Sequence, residues 1–248
     1  MKHIHLIGLP RSGTTYLFQL GRVAITHLQD EIQQTLNTDR WSMNESFNVD
    51  HLQEPINIEL AHRCHFVENN TSPLMIKSHI RHFTTLHNHV DILDRILLFD
   101  SFNIMLYRRN VIDTILSYAL AVETDNWTVY NDVCPVEINE HTLVDLAKFI
   151  LTELDKLLRN PYNIKFDKII AYEDLKNNLE EDTVLLFDGT NIDYRIPTKM
   201  PIEIQQSPDK RTRITNYNEC KQIIHSTLNT FRIENAVYNI ENGIITLK

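Results

Sequence analysis

The chain has 248 residues, of which 42% are hydrophobic and 23% charged, a balance that suits a globular protein with one substantial core. Its 24 Lys and Arg against 33 Asp and Glu leave a formal charge of −9, and that excludes a general nucleic-acid binder, which carries a broad basic surface. Any anionic ligand must therefore be met by cations concentrated in one place.

Cys64, Cys134 and Cys220 are odd in number and widely spaced, so no disulfide framework or paired metal-thiolate motif is visible and a cytoplasmic setting is expected. The apolar run in MKHIHLIGLP is too short for a signal-peptide core. No stretch approaches the roughly 18 apolar residues of a membrane span.

In chain order, residues 2–7 alternate and are β-prone. A loop between Gly8 and Gly13 follows, and then TTYLFQLGRVAITHLQ places Leu17, Leu20, Val23 and Ala24 at helical spacing. The short apolar runs LMIKSH (74–79), FNIMLY (102–107), KIIAY (168–172) and TVLLF (183–187) predict buried parallel strands. VIDTILSYALAV (111–122) and HTLVDLAKFILTELDKLLRN (141–160) predict helices between them. Alternating strands and helices predict an α/β fold, a three-layer parallel sheet with helices on both faces, P-loop NTPase-like, in a single domain over residues 1–248. AVYNIENGIITLK, with Asn242-Gly243 between two alternating runs, predicts a C-terminal hairpin at about 236–248. Ligands of such sheets sit beyond the carboxyl ends of the strands.

The spacing Gly8-x4-Gly13 is that of a triphosphate-binding loop, yet Thr14 stands where that loop carries its lysine, and the cation is Arg11, inside the loop. The N–H groups of residues 11–15 and the helix start at Thr14 make an anion cradle. Without the lysine it suits a shorter anion, one phosphate plus one further oxyanion group within reach of Arg11. In YRRNVIDTILSY (107–118), Arg109 follows a strand and Ser117 comes eight residues later. A guanidinium fork and a hydroxyl together suit a phosphate monoester.

These stretches resemble the sulfotransferases that use 3′-phosphoadenosine 5′-phosphosulfate (PAPS). Pro10 to Thr15 match that family's 5′-phosphosulfate loop, Pro-Lys/Arg-Ser-Gly-Thr-Thr. Arg109, Asn110, Asp113 and Ser117 match its 3′-phosphate motif, with Val111 where the family has proline. Lys77-Ser78-His79 resembles its Lys-Thr-His strand end, and Tyr172-Glu173-Asp174-Leu175 its adenine-side Tyr-Glu-Asp-Leu element. Lys210-Arg211 with Thr215-Asn216-Tyr217 resembles the segment that closes over the 3′-phosphate, although threonines replace both of its glycines.

The resemblance implies a PAPS-dependent sulfotransferase that releases 3′-phosphoadenosine 5′-phosphate (PAP). It implies donor contacts from Arg11, Ser12, Gly13, Thr14, Thr15, Tyr16, Arg109, Ser117, Tyr172, Lys210 and Arg211, with Tyr16 where cytosolic members stack a tryptophan on adenine. Lys77 and Arg11 would neutralise developing charge, and His79 would serve as general base toward a hydroxyl or amine of a small-molecule or glycan acceptor. Glu45, in Met43-Asn44-Glu45-Ser46-Phe47, is the rival base, as in Golgi-type members. No metal is required in this scheme, and the histidines at 62, 65, 79, 82, 87 and 89 fit no single ligand spacing. The alternatives are a P-loop kinase with a degenerate loop, which needs Mg²⁺ and an acidic strand end, and a non-catalytic nucleotide-binding module. The segments 41–70 and 123–140, with Trp41, Phe47, Phe66, Trp127 and Tyr130, are expected to face a polar acceptor. Oligomeric state is not encoded in any motif.

Overall fold

A computed structural model of the chain describes residues 3–25, 47–49, 55–125, 135–199, 210–231 and 238–247. Two compact units emerge: Met1–Gly8, Gly13–Tyr107 and Pro161–Pro201 make the first, and Leu9–Ser12, Arg108–Asn160 and Ile202–Lys248 the second.

The first unit is built on a four-stranded, fully parallel sheet of order β2-β1-β3-β4, with β1 His3–Gly8, β2 Met75–His79, β3 Ser101–Tyr107 and β4 Lys168–Ala171. All six residues of β1 are buried, as a central strand covered on both faces requires. Alternation assigns the faces. Ile4, Leu6 and Gly8 lie beside Met75, Lys77 and His79, and on this side helix α1 (Thr14–Ile25) packs through Gly21, where an added Cβ would meet Met75 Sδ at 2.5 Å. The opposite face carries His5 and Ser78, and there the ring of Phe83, from helix α3 (Ile80–Thr85), stacks on His5 with centroids 6.2 Å apart. Helices α2 (Ile56–Asn69) and α4 (Val90–Leu97) also lie between β1 and β3 in the chain. The architecture is α/β, a parallel sheet flanked by helices.

In the second unit, helix α5 (Val111–Thr124) starts at Asn110, whose side-chain oxygen accepts the Asp113 N–H at 2.9 Å. Helix α6 (Glu140–Arg159) starts at Asn139, which accepts from His141 and Thr142. Both are N-caps that satisfy otherwise orphaned donors. Asp125 and Asn160 end these helices in the left-handed region, at φ 49° and 51°. The two helices pack on each other and on α8 (Tyr217–Thr230). Strands β5 (Tyr238–Glu241) and β6 (Ile244–Leu247) pair antiparallel as their own two-stranded sheet. Its turn docks on the start of α5: Val111 N–H donates to Gly243 O and Ile245 N–H to Arg109 O, both at 2.8 Å.

TVLLF is not a strand. Leu179–Phe187 is a helix, α7, because Asn178 caps it by accepting from Glu180 and Glu181 and three carboxylates fill its first turn. Negative charge there complements the helix dipole.

Candidate active site

In the first unit the loop ends at Gly13, whose φ of 86° favours glycine. A Cβ there would also sit 2.5 Å from Tyr172 Cδ2, so the Tyr172 ring lies against bare backbone. Thr14 and Thr15 open α1, and Leu17 N–H donates to Gly13 O at 3.2 Å. From β2, the Lys77 ammonium donates to Thr15 Oγ1 at 3.0 Å, although the lysine is only 3% exposed. His79 ends the same strand two residues on, is buried, and shares the Lys77 face. The strand ends bring Lys77 to Thr15 and Tyr172 to Gly13.

Tyr16 is committed to a protein partner. Its hydroxyl donates to Asp182 Oδ2 at 2.7 Å, and Asp182 Oδ1 accepts the Lys176 N–H at 2.8 Å. Burial first, then the Asp182 carboxylate, pushes the Tyr16 phenol above its ordinary range. The ring is thereby pinned at one edge while remaining half-buried.

The second unit holds the other predicted anion residues. Arg11 has φ 64°, a left-handed conformation that is uncommon outside glycine, and its Nε donates to Ser117 Oγ at 3.0 Å. Ser12 is buried, and its hydroxyl closes the loop by donating to Leu9 O at 2.6 Å, which leaves that hydrogen unavailable to a ligand. Asp113 Oδ2 accepts from Arg108 at 2.6 Å and from Lys210 at 3.2 Å. Lys210 is 5% exposed. Burial and then the Arg108 guanidinium hold its pKa below the ordinary lysine value, with Arg11 acting in the same direction, while Asp113 opposes them. Arg109 is half-buried and accepts through its carbonyl from the hairpin. Arg211 is exposed, with its guanidinium 6.0 Å from the Tyr217 ring centroid.

Sequence reasoning missed Arg108. The motif directs attention to Arg109, but the adjacent arginine makes an ion pair with Asp113 at 2.6 Å. Two arginines in succession after an apolar strand were the available signal. Phe47 was expected to face an acceptor. It is instead core, 1% exposed, with its ring 5.8 Å from that of Phe99. Glu45, Trp41, Trp127 and Tyr130 lie outside the described residues. Among the described residues, no group of three or more His, Cys, Asp or Glu is arranged to hold a metal ion, and no helix is long and apolar enough to cross a membrane.

No protein-family model and no curated protein matches the sequence. Among solved structures, the chain is similar to the sulfotransferase domain of the Synechococcus PCC 7002 olefin synthase at 15% identity, over 95% of this chain and 90% of that one, with a TM-score of 0.38. Similarity at that level carries no weight on function, which rests instead on the residues above.

Proposed function

We propose that the chain is a PAPS-dependent sulfotransferase acting on a hydroxyl or amine of a small-molecule or glycan acceptor. One observation carries the reading. In triphosphate-binding loops the Ser/Thr after the lysine holds Mg²⁺, and Thr15 occupies that position counted from Gly8 and Gly13. Here the Thr15 hydroxyl accepts from the Lys77 ammonium instead. A fixed side-chain cation beside the cradle suits transfer assisted by the protein's own charge rather than by a divalent metal. The basic strand ends, Lys77-Ser78-His79 and Tyr107-Arg108-Arg109, support the same choice over a kinase.

The residue types suit such a donor. Loop N–H groups, Thr14 and Thr15 would hold the 5′-phosphate. Arg109 and Ser117, with Lys210 and Arg211, would read the 3′-phosphate, and Tyr16 and Tyr172 would border the adenine. The donor supplies an activated sulfuryl group. Lys77 and Arg11 stabilise the negative charge that grows on the departing phosphate side, and positioning supplies the rest. His79, through a ring nitrogen, takes the proton of the acceptor nucleophile, work that suits a group whose ordinary pKa is near 6.5. Glu45 is the competing base.

The test is transfer of radiolabelled sulfuryl from PAPS to a panel of hydroxyl and amine acceptors in excess EDTA. Labelled product with stoichiometric PAP is expected, and ATP is neither hydrolysed nor used. Mg²⁺-dependent release of ADP would overturn the reading in favour of a kinase.

A further inference from the structure

Behind β2, on the face away from Lys77, lies a group of buried polar side chains that no step above uses: His5, Ser78 and His82. His5 Nε2 and Ser78 Oγ are 2.8 Å apart, so β1 grips the residue between Lys77 and His79. On α3, His82 Nδ1 accepts the backbone N–H of His79 at 3.2 Å, and the two rings lie 5.2 Å apart. His79 is the N-cap residue of α3 and His82 its third helical residue, the position from which Glu or Gln reaches back in a capping box. A histidine can accept there only through an unprotonated Nδ1, which places the proton of the neutral ring on Nε2.

We propose that His82 is a positioning residue for His79: as the neutral Nε2–H tautomer it holds the His79 amide, and with it the strand end that aims the His79 side chain. The inference rests on the proposed role of His79 as base. A proton on His82 Nδ1 would instead place a donor against the His79 N–H, and the strand end would lose its anchor. Among the described residues, the titratable groups shown to face this ring are His5 from β1 and His79 from β2, while Tyr162 lies against Phe83 and donates to Thr84. His5 is kept neutral by burial first and by His82 second, its pKa lowered to about 3. It therefore remains an uncharged support near neutral pH.

The test compares His82→Gln, which preserves an acceptor at the capping position, with His82→Leu, which removes it. For sulfuryl transfer, His82→Leu should lower kcat about ten-fold or more, with donor KM nearly unchanged. His82→Gln should recover most of the rate and steepen no limb of the pH profile. A Gln variant as impaired as Leu, or a Leu variant as active as wild type, would overturn the proposal. A second measurement is independent of turnover: long-range ¹⁵N–¹H correlation spectra of the wild type at neutral pH, with the His82 ring identified by its loss in His82→Gln. An unprotonated Nδ1 and protonated Nε2 are expected, and the reverse tautomer would overturn the assignment. Absence of sulfuryl transfer in the wild type, with the expected tautomer present, would instead remove the role of His79 as base.

Discussion

Lys77, expected to be catalytic, and Lys210, expected to contact the donor, are both buried lysines, at 3% and 5% exposure, yet their partners differ. Lys77 meets a neutral threonine hydroxyl. Lys210 meets a carboxylate that it shares with Arg108, and burial, Arg108 and Arg11 all depress its pKa. A buried ammonium is tolerated only with hydrogen-bonding or ionic compensation. The hydroxyl beside the first lysine carries no charge, whereas the second has an internal counter-ion in Asp113. On the proposed function the two lysines do different work: Lys77 would stabilise charge that develops during reaction, and Lys210 would recognise charge that is present throughout.

That division is broken most forcefully at Lys77. Lys77→Met should reduce kcat by about 10²–10³-fold, the scale of losing one preorganised charge-stabilising donor, while PAP affinity by calorimetry changes little. An equal loss in both quantities would make Lys77 a recognition residue like Lys210. The corresponding change on the other side, Arg109→Ala, should weaken PAP about ten-fold or more, as loss of a charged hydrogen bond of about 1.5–3 kcal/mol implies, with adenosine 5′-phosphate nearly unaffected. Equal losses for the two nucleotides would remove the 3′-phosphate assignment.

A finer probe is pH. Because its pKa is lowered, Lys210 loses its proton at lower pH in the folded chain than in the unfolded one. Preference for PAP over adenosine 5′-phosphate should therefore decline on the alkaline side before pH reaches the ordinary lysine value. Asp113 raises that pKa, so Asp113→Asn should move the decline to lower pH. An unchanged midpoint would deny the coupling. The smallest expected effect is on stability. His5 has its pKa lowered from 6.5 to about 3, so the unfolded chain binds the extra proton first and stability falls as pH drops through that window. His5→Phe should flatten this acid-side loss of Tm relative to wild type. An unaltered slope would show that His5 does not carry it.

The sheet was legible because its strands are continuous apolar runs ending in chemistry. LMIKSH, FNIMLY and KIIAY fall on Met75–His79, Ser101–Tyr107 and Lys168–Ala171. TVLLF misled because five apolar residues are too few to display a helical period, and the deciding signals, Asn178 and the acidic residues 180–182, precede it. Helix α2 was not read from the sequence because only Leu60, Cys64 and Val67 of its fourteen residues are buried, too thin a stripe to stand out. In the site, loop residues and the Lys77–His79 spacing were visible as local patterns. Arg108 with Asp113 and Lys210 was not, since Lys210 lies 97 residues from its carboxylate and no local period joins them. The support of His79 by His82 was hidden for a different reason: it depends on which ring nitrogen accepts, a property that no residue pattern expresses.

The most direct test of a donor read at both ends without metal is calorimetric titration of the wild-type protein in EDTA with PAP, adenosine 5′-phosphate and ADP. PAP is expected to bind at least ten-fold more tightly than adenosine 5′-phosphate, and ADP to gain nothing when Mg²⁺ is restored. Equal affinity for PAP and adenosine 5′-phosphate, together with Mg²⁺-dependent tightening of ADP, would contradict the account at its centre.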